Sequence, residues 1–356
     1  MAQFTGTRRQ LASLRLSAQW IGAPRPGATA ADVVRRMTAM QAQDFGGVKW
    51  SIGLRAPGLT DAEVERALAA GEIVRSWPMR GTLHVVAPED LGWMLQLTTP
   101  RLLRGVAKRR EQLELDDATV ERAREIAIAN LEGGRILSRE GIQQLWNAHG
   151  IATTGQRGYH LLWSLSQTGT LVFGPVDGKQ QSFVLLDEWV TAPRRLEGDE
   201  ALGEWAARYF ASHGPATERD FAWWASLTLG EVRRGIAVAK PDTLEMDGTT
   251  YYYDAATEPA ANAVHLLPGF DEYLLGYQDR SAPLAAEHAQ AIVPGNNGVF
   301  LPTIVANGEV VGLWKRHARA RRTELELSAF GSTTSMGRAA KRYGAFLGIP
   351  VEVRES

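Results

Sequence analysis

Three observations predict an α+β fold for this chain of 356 residues. Helix-periodic apolar patterns fill most of the sequence up to about residue 240 and fall into groups of three. Each group is closed by two short β-rich runs around a turn. After about Asn262 the texture becomes β-rich, with Gly and Asn turns such as Asn307-Gly308.

In the first group, Arg8 to Trp20 places Leu11, Leu14 and Leu16 among arginines, and Gly22, Pro24 and Pro26 end it. Thr29 is placed as an N-cap, with Val33, Val34, Met37 and Met40 at helical spacing behind it. Thr60 and Glu63 form a capping box for a helix from Asp61 to Ala70. Two β-rich runs then flank Met79-Arg80-Gly81. The second group has helices at Asp116–Leu131, Ser138–His149 and Gly155–Gln167, then a hairpin around Asp177-Gly178. The third has a helix from Glu200 through Tyr209, another capped by Thr217, a third at Leu229–Ala239, and a hairpin around Asp247-Gly248. Three helices followed by a hairpin is the winged helix-turn-helix arrangement, and the last two helices of each later group have its short-turn spacing. The expected division is therefore three winged-helix units, at 1–112, 113–196 and 197–260, and a β-rich domain at 261–356 that ends near the short helix SMGRAAKRYGAFLG.

With no cysteine, a disulfide framework, thiolate zinc sites, iron–sulfur clusters and a Cys nucleophile are excluded. No secretory h-region opens the chain and no apolar run is long enough to span a bilayer, so a cytoplasmic protein without membrane partners is expected. There are 39 basic and 40 acidic residues, a near balance that argues against a bulk-charge attraction to nucleic acid. The distribution reverses that impression. Residues 1–43 hold six Arg against one Asp, and Arg101 to Arg110 and Leu313 to Arg322 each carry five positive charges. These are either ordinary solvated faces or parts of one surface that tracks phosphates. Arg104, Lys108, Arg109, Lys315, Arg316 and Arg319 are its candidate contacts, with Arg80, Thr82 and His84 from the first hairpin.

No phosphate-binding loop, dinucleotide fingerprint, zinc-protease helix or serine elbow occurs, and no metal or cofactor is expected. Asp271, Glu272 and Asp279 are read either as an acid/base group or, preferably, as turn carboxylates paired with Arg280. Trp50 and Trp77 are candidates to stack on a base, whereas Trp146, Trp163, Trp223 and Trp224 fit helical apolar faces.

Gln41-Ala42-Gln43 lies where the Thr29–Met40 helix should end, with Gly46-Gly47 just beyond as the helix-ending signal. On a helix the two amides would point about 200° apart; in an extended segment they share one side and Ala42 faces the body. Paired amides offer donors and acceptors to a water or a base edge. Asp44, next in line, should face away as a helix-end or ion-pair residue.

The stretches MQAQDFGGVKWSIGLR, WPMRGTLHVV, LLPGFDEYLLGYQDR and GEVVGLWKR resemble the AlkZ/YcaQ-like bacterial DNA glycosylases, over about residues 8–350. The resemblance implies three winged-helix units in a C-shape followed by a small β-barrel. It also implies a catalytic motif of Gln, an apolar residue, then Gln or Asp, here the Gln41-Ala42-Gln43 form of the AlkZ-type branch. The implied activity is hydrolysis of the N-glycosidic bond of N7-alkylated purines, including bulky natural-product adducts or crosslinks, in base-excision repair or toxin self-resistance. Gln43 is expected to position the water and Gln41 to support water or sugar, with double-stranded DNA carrying alkylated bases as partner. A nucleoid-associated monomer is expected. The rival readings are a non-catalytic winged-helix regulator and a genotoxin-sequestering protein.

Overall fold

The computed structural model describes residues 6–176, 180–319, 322–331 and 336–355. In chain order it begins with α1 (Arg8–Ala18), α2 (Ala30–Met37), β1 (Ala39–Gln41), α3 (Phe45–Arg55), α4 (Asp61–Ala69), β2 (Val74–Met79), β3 (Thr82–Val86), α5 (Pro88–Gly105) and α6 (Ala107–Gln112). There follow α7 (Asp117–Leu131), β4 (Leu137–Ser138), α8 (Arg139–Ala148), α9 (Arg157–Gln167), β5 (Leu171–Phe173), β6 (Ser182–Leu185) and α10 (Leu186–Trp189). Next are α11 (Gly198–His213), α12 (Glu218–Ala225), α13 (Leu229–Ala239), β7 (Asp242–Met246) and β8 (Thr249–Tyr253). The last region holds β9 (Val264–Leu267), α14 (Glu272–Leu275), α15 (Ala289–Ile292), β10 (Thr303–Ala306), β11 (Glu309–Ala318), β12 (Thr323–Ala329), α16 (Gly337–Leu347) and β13 (Val351–Glu355). The fold is mixed α and β. Among the described residues no helix is long and apolar enough to cross a membrane.

The chain packs as two units, Met1–Val64 with Leu202–Ser356, and Glu65–Ala201. In the continuous unit, α7, α8 and α9 close over a three-stranded sheet of order β4-β6-β5. Trp146, Ile142, Leu161 and Phe183 are among the buried side chains of this core, and Trp146 donates from Nε1 to the Ala123 carbonyl at 2.9 Å. Helix α9 starts at Arg157 rather than at Gly155, because Gly155 and Gln156 both take positive φ, 61° and 74°. The expected Asp177-Gly178 turn lies outside the described residues. The first hairpin, β2 to β3, turns at Arg80 and Gly81 with φ of 54° and 67°, the left-handed pair that suits a two-residue turn between twisted strands. Helices α5 and α6, which the sequence reading did not anticipate, follow it. Pro88 at the first helical position with Glu89 and Asp90 in the first turn is an ordinary helix start, but Pro100 interrupts the pattern that would have revealed it.

In the discontinuous unit, the C-terminal region is a five-stranded sheet of order β13-β12-β11-β10-β9, antiparallel except for β12 with β13. Helix α16 packs against α3, with Trp50 held between Tyr343 and Phe346 at ring distances of 4.9 and 5.2 Å. Around α11 and α12, Tyr209, Phe210, Phe221 and Trp224 form an aromatic core. Trp223 departs from the expected core position. It is half-buried, with the Arg280 guanidinium 5.0 Å over its ring.

His265 on β9 is 6% exposed, and burial together with the Arg342 charge holds its pKa down to about 4. An unfolded histidine titrates near pH ~6.5. The depressed folded value therefore means that its stabilising contribution is complete above about pH 6.5 and is lost as the pH falls through about 4. Urea unfolding should show His265→Phe losing less stability than wild type between pH 7 and 4, by on the order of 3 kcal/mol. Parallel losses in the two proteins would show that His265 does not contribute.

Candidate active site

Helix α2 stops at Met37, three residues earlier than the periodicity suggested. Thr38 takes φ 67° and ψ −51°, the geometry of a γ-turn that is rare and strained for a β-branched residue. That turn launches β1, so Gln41 stands on extended backbone and not on a helix. Asp44 then caps α3, its Oδ1 accepting the Gly47 N–H at 3.0 Å, in keeping with a helix-end role. A Cβ at Gly47 would lie 2.7 Å from Asp44 Oδ2, so the glycine admits the cap. Gly46-Gly47 therefore belongs to a helix start, the reverse of the expected helix end.

The extended run brings the two amides together. Gln41 Nε2 donates to Gln43 Oε1 at 2.7 Å, while Ala42 between them is fully buried. Gln41 is 8% exposed and Gln43 is open to solvent. The Gln43 oxygen keeps a second lone pair, and its NH2 group keeps its donors. Beside them, Asp44, Gly46, Trp50, Pro268, Arg316 and Tyr343 are among the residues lining a cavity of about 90 Å³. Among the described residues no cluster of three or more His, Asp or Glu could hold a metal ion.

Under β1 lies a polar network that the sequence reading assigned otherwise. Asp271 does not pair with Arg280. It receives a bidentate pair from buried Arg55, Nη1 to Oδ2 at 2.9 Å and Nη2 to Oδ1 at 3.0 Å. Ser51 Oγ donates to Asp271 Oδ2 at 2.5 Å, and Arg55 Nη2 also donates to Gln19 Oε1 at 2.8 Å. Gln19 in turn donates to the Glu272 carbonyl and to Tyr277 Oη, at 3.2 and 3.1 Å. The Glu272 carboxylate is 1% exposed; its Oε1 accepts the Gln41 main-chain N–H and its Oε2 the Trp224 indole N–H, both at 2.8 Å. His213 Nε2 stands 3.8 Å from Oε2, and burial lowers its pKa despite that carboxylate. Gly276 lets the histidine lie close, since a Cβ there would meet His213 Cδ2 at 2.6 Å. Asp279 accepts the Ser281 N–H, and Arg280 donates to the Leu274 carbonyl. The available signal was Asp271-Glu272 set against Tyr273-Leu274-Leu275, carboxylates entering an apolar run and so needing buried partners.

The expected DNA contacts divide by environment. His84 is fully buried, with Nε2 3.0 Å from Arg80 Nη2 and Nδ1 2.9 Å from the Thr82 carbonyl. It supports the Arg80 side chain and does not itself face a duplex, which corrects the expectation. Arg80 and Thr82 are partly exposed in the turn, although the Thr82 hydroxyl is buried. Arg104, Lys108 and Arg109 are exposed on α5 and α6, with Arg109 bonded to Gln112 and Gln156. On β11, Lys315 and Arg316 are exposed but, as consecutive strand residues, they occupy opposite faces. Arg316 faces the cavity beside α3, and Arg319 is paired with Glu324 at 3.4 Å. Arg321 of this cluster lies outside the described residues. Of the N-terminal arginines, Arg15 is buried against the Tyr277 ring and the Pro215 carbonyl, and Arg36 donates to the Ala18 and Ala211 carbonyls. Neither serves a phosphate surface. Trp50 and Trp77 are 2% and 4% exposed, packed in cores and withdrawn from base stacking.

Arg55→Met should lower the unfolding free energy by about 3–5 kcal/mol, because it strands the buried Asp271 charge. Urea unfolding measures this, and a loss below about 1 kcal/mol would show that the pair is dispensable.

Comparison with known proteins agrees with the fold. The family described as DNA glycosylase AlkZ-like matches residues 34–346. The chain is 27% identical over 337 residues to an interstrand DNA cross-link repair glycosylase of Streptomyces sahachiroi, covering 86% of this chain and 87% of that protein. It superposes on the solved structure of Streptomyces sahachiroi DNA glycosylase AlkZ with a TM-score of 0.80 at 25% identity, covering 99% of this chain and all of the other. The match runs from the helix that precedes the amide pair to the helix that packs on Trp50, and the chain is a DNA glycosylase belonging to the AlkZ-like family.

Proposed function

We infer that this glycosylase hydrolyses the N-glycosidic bond of N7-alkylated purines in duplex DNA, with Gln41 and Gln43 as its catalytic pair and water as nucleophile. The observation that carries the reading is the 2.7 Å amide pair on extended backbone with Gln43 open to solvent. An N7-alkylated guanine is already cationic, so it departs without protonation. The C1′–N9 electron pair neutralises the base, water bonds to C1′, and its proton passes to solvent. Neutral amides suffice for such a reaction, since the remaining task is to orient water and sugar. Gln43 positions the water through its free oxygen lone pair, and Gln41 holds the Gln43 amide in place. Lys49, the lysine nearest in sequence, is ion-paired with Asp61 at 2.8 Å, which favours water over an amine nucleophile and leaves the strand uncut.

The groups α7–β6 and α11–β8, each three helices closed by a hairpin, support reading them as winged-helix units, with the N-terminal group as the first of three. The C-terminal sheet would be the small barrel of that plan. Exposed Arg104, Lys108, Arg109, Lys315 and Arg316 are the phosphate contacts we assign, and the partly exposed Arg80 and Thr82 of the first hairpin are assigned to DNA contact as well. Three modules in one polypeptide also favour action as a monomer. The Streptomyces sahachiroi relative is an interstrand DNA cross-link repair glycosylase, and bulky guanine adducts of that kind fall within the same leaving-group chemistry.

Duplex DNA containing N7-methylguanine, incubated with wild type, Gln41→Ala and Gln43→Ala, tests this by measuring the freed base. Wild type should release it, and each variant should be slower by about 10²-fold. Full activity in both variants would remove these residues from the site. No release by wild type, from this lesion or from a bulky N7 adduct, would remove the substrate class.

A further inference from the structure

We propose that Glu272 is the positioning residue of the catalytic strand: its buried carboxylate fixes the Gln41 backbone, and through it the direction of the Gln41–Gln43 amide pair. The inference rests on the reading of Gln41 as catalytic and extends it to a residue outside the Q-A-Q motif. Glu272 lies 231 residues from Gln41 in sequence and opens α14, with Asp271 as its N-cap. Its Oε1 takes the Gln41 N–H and its Oε2 the Trp224 N–H, both at 2.8 Å. Bonds to an ionised acceptor are roughly twice as strong as neutral ones. Burying a carboxylate is a poor source of stability, because desolvation offsets the attraction. What it supplies here is a fixed point for the main chain at the residue whose side chain holds Gln43. The constraint is needed because Thr38, just upstream, sits in a strained turn that could relax and rotate β1. An error of about 1 Å in a reacting geometry is enough to cost on the order of 10²-fold in rate.

The amide of glutamine has the same size as the carboxylate but can accept from only one of the two N–H groups, its NH2 then facing the other. Glu272→Gln in the full chain should therefore lower the single-turnover excision of N7-methylguanine by about 10²-fold, with lesion-duplex affinity changed by less than about threefold. Removing the competing donor should restore the rate. In Glu272→Gln/Trp224→Phe the amide oxygen can face Gln41 while the NH2 group turns towards His213 Nε2. Recovery of at least about 10-fold over the single variant is expected. A merely structural role would make the double variant worse. Wild-type excision by Glu272→Gln, or a double variant that folds and is no faster than the single, overturns the proposal. If Glu272→Gln does not fold, the double variant alone decides, by retaining excision within about 10-fold of wild type or failing to. Gln41→Ala, run in parallel, separates the two levels. Wild-type activity in Gln41→Ala sinks the catalytic reading itself, whereas a slow Gln41→Ala beside a fast Glu272→Gln sinks only the role of Glu272.

Discussion

The discontinuous unit depends on one buried interaction, the bidentate pair between Arg55 at the end of α3 and Asp271 ahead of α14, residues 216 apart in sequence. An arginine with no exposed surface is tolerable only when its charge is matched, and here Asp271, Ser51 and Gln19 take the donors of both terminal nitrogens, while Nε has no partner. The pair joins the helix that follows the amide motif to the turn that carries Glu272. It thereby sets where the Glu272 carboxylate can stand, and Gln19, Tyr277 and His213 follow in register behind it. Removing either charge leaves the other buried without its partner, so the arrangement has little tolerance for gradual change.

The candidate site backs its amides with two buried carboxylates. Gln43 faces solvent, Gln41 lies behind it at 8% exposure, and the Asp271 and Glu272 carboxylates lie deeper, fully hydrogen-bonded, while Asp44 and Arg316 are exposed beside the neighbouring cavity. For a substrate that arrives with a positive charge on the leaving base, an exposed carboxylate is not required to start bond cleavage, and orientation becomes the larger part of the rate. A rigid backbone under the amides is the physical form such orientation takes.

Much of this was legible in the sequence because it is local. The N-caps at Thr29 and Thr217, the capping box of Thr60 and Glu63, the Asp247-Gly248 turn and the helix Leu229–Ala239 are set by residues a few positions apart, and they occur where expected. The side-by-side placement of Gln41 and Gln43 follows from the two-residue periodicity of an extended segment. The features that escaped depend on distant partners. Proximity in sequence matches Asp271 with Arg280, whereas its partner comes from α3. His84 looked like a surface residue of a hairpin, but its ring is buried. Gly46-Gly47 looked like a helix end because glycine marks both termini, and only the fold of Asp44 back over Gly47 distinguishes a start.

The division of the chain also bears on how the enzyme is made. The amide strand leaves the ribosome early, while the carboxylate that receives its main-chain N–H lies more than two hundred residues downstream, beyond an entire intervening unit. The intervening unit is contiguous, so all of its segments leave the ribosome together. The strand that carries the amide pair does not have its partners by then, because residues of α11, α12 and α14 complete the network behind it. A nascent or truncated chain ending before Glu272 therefore carries the Gln41-Ala42-Gln43 motif without the carboxylate that receives its main-chain N–H, and on the catalytic assignment proposed above it would lack base-excising activity.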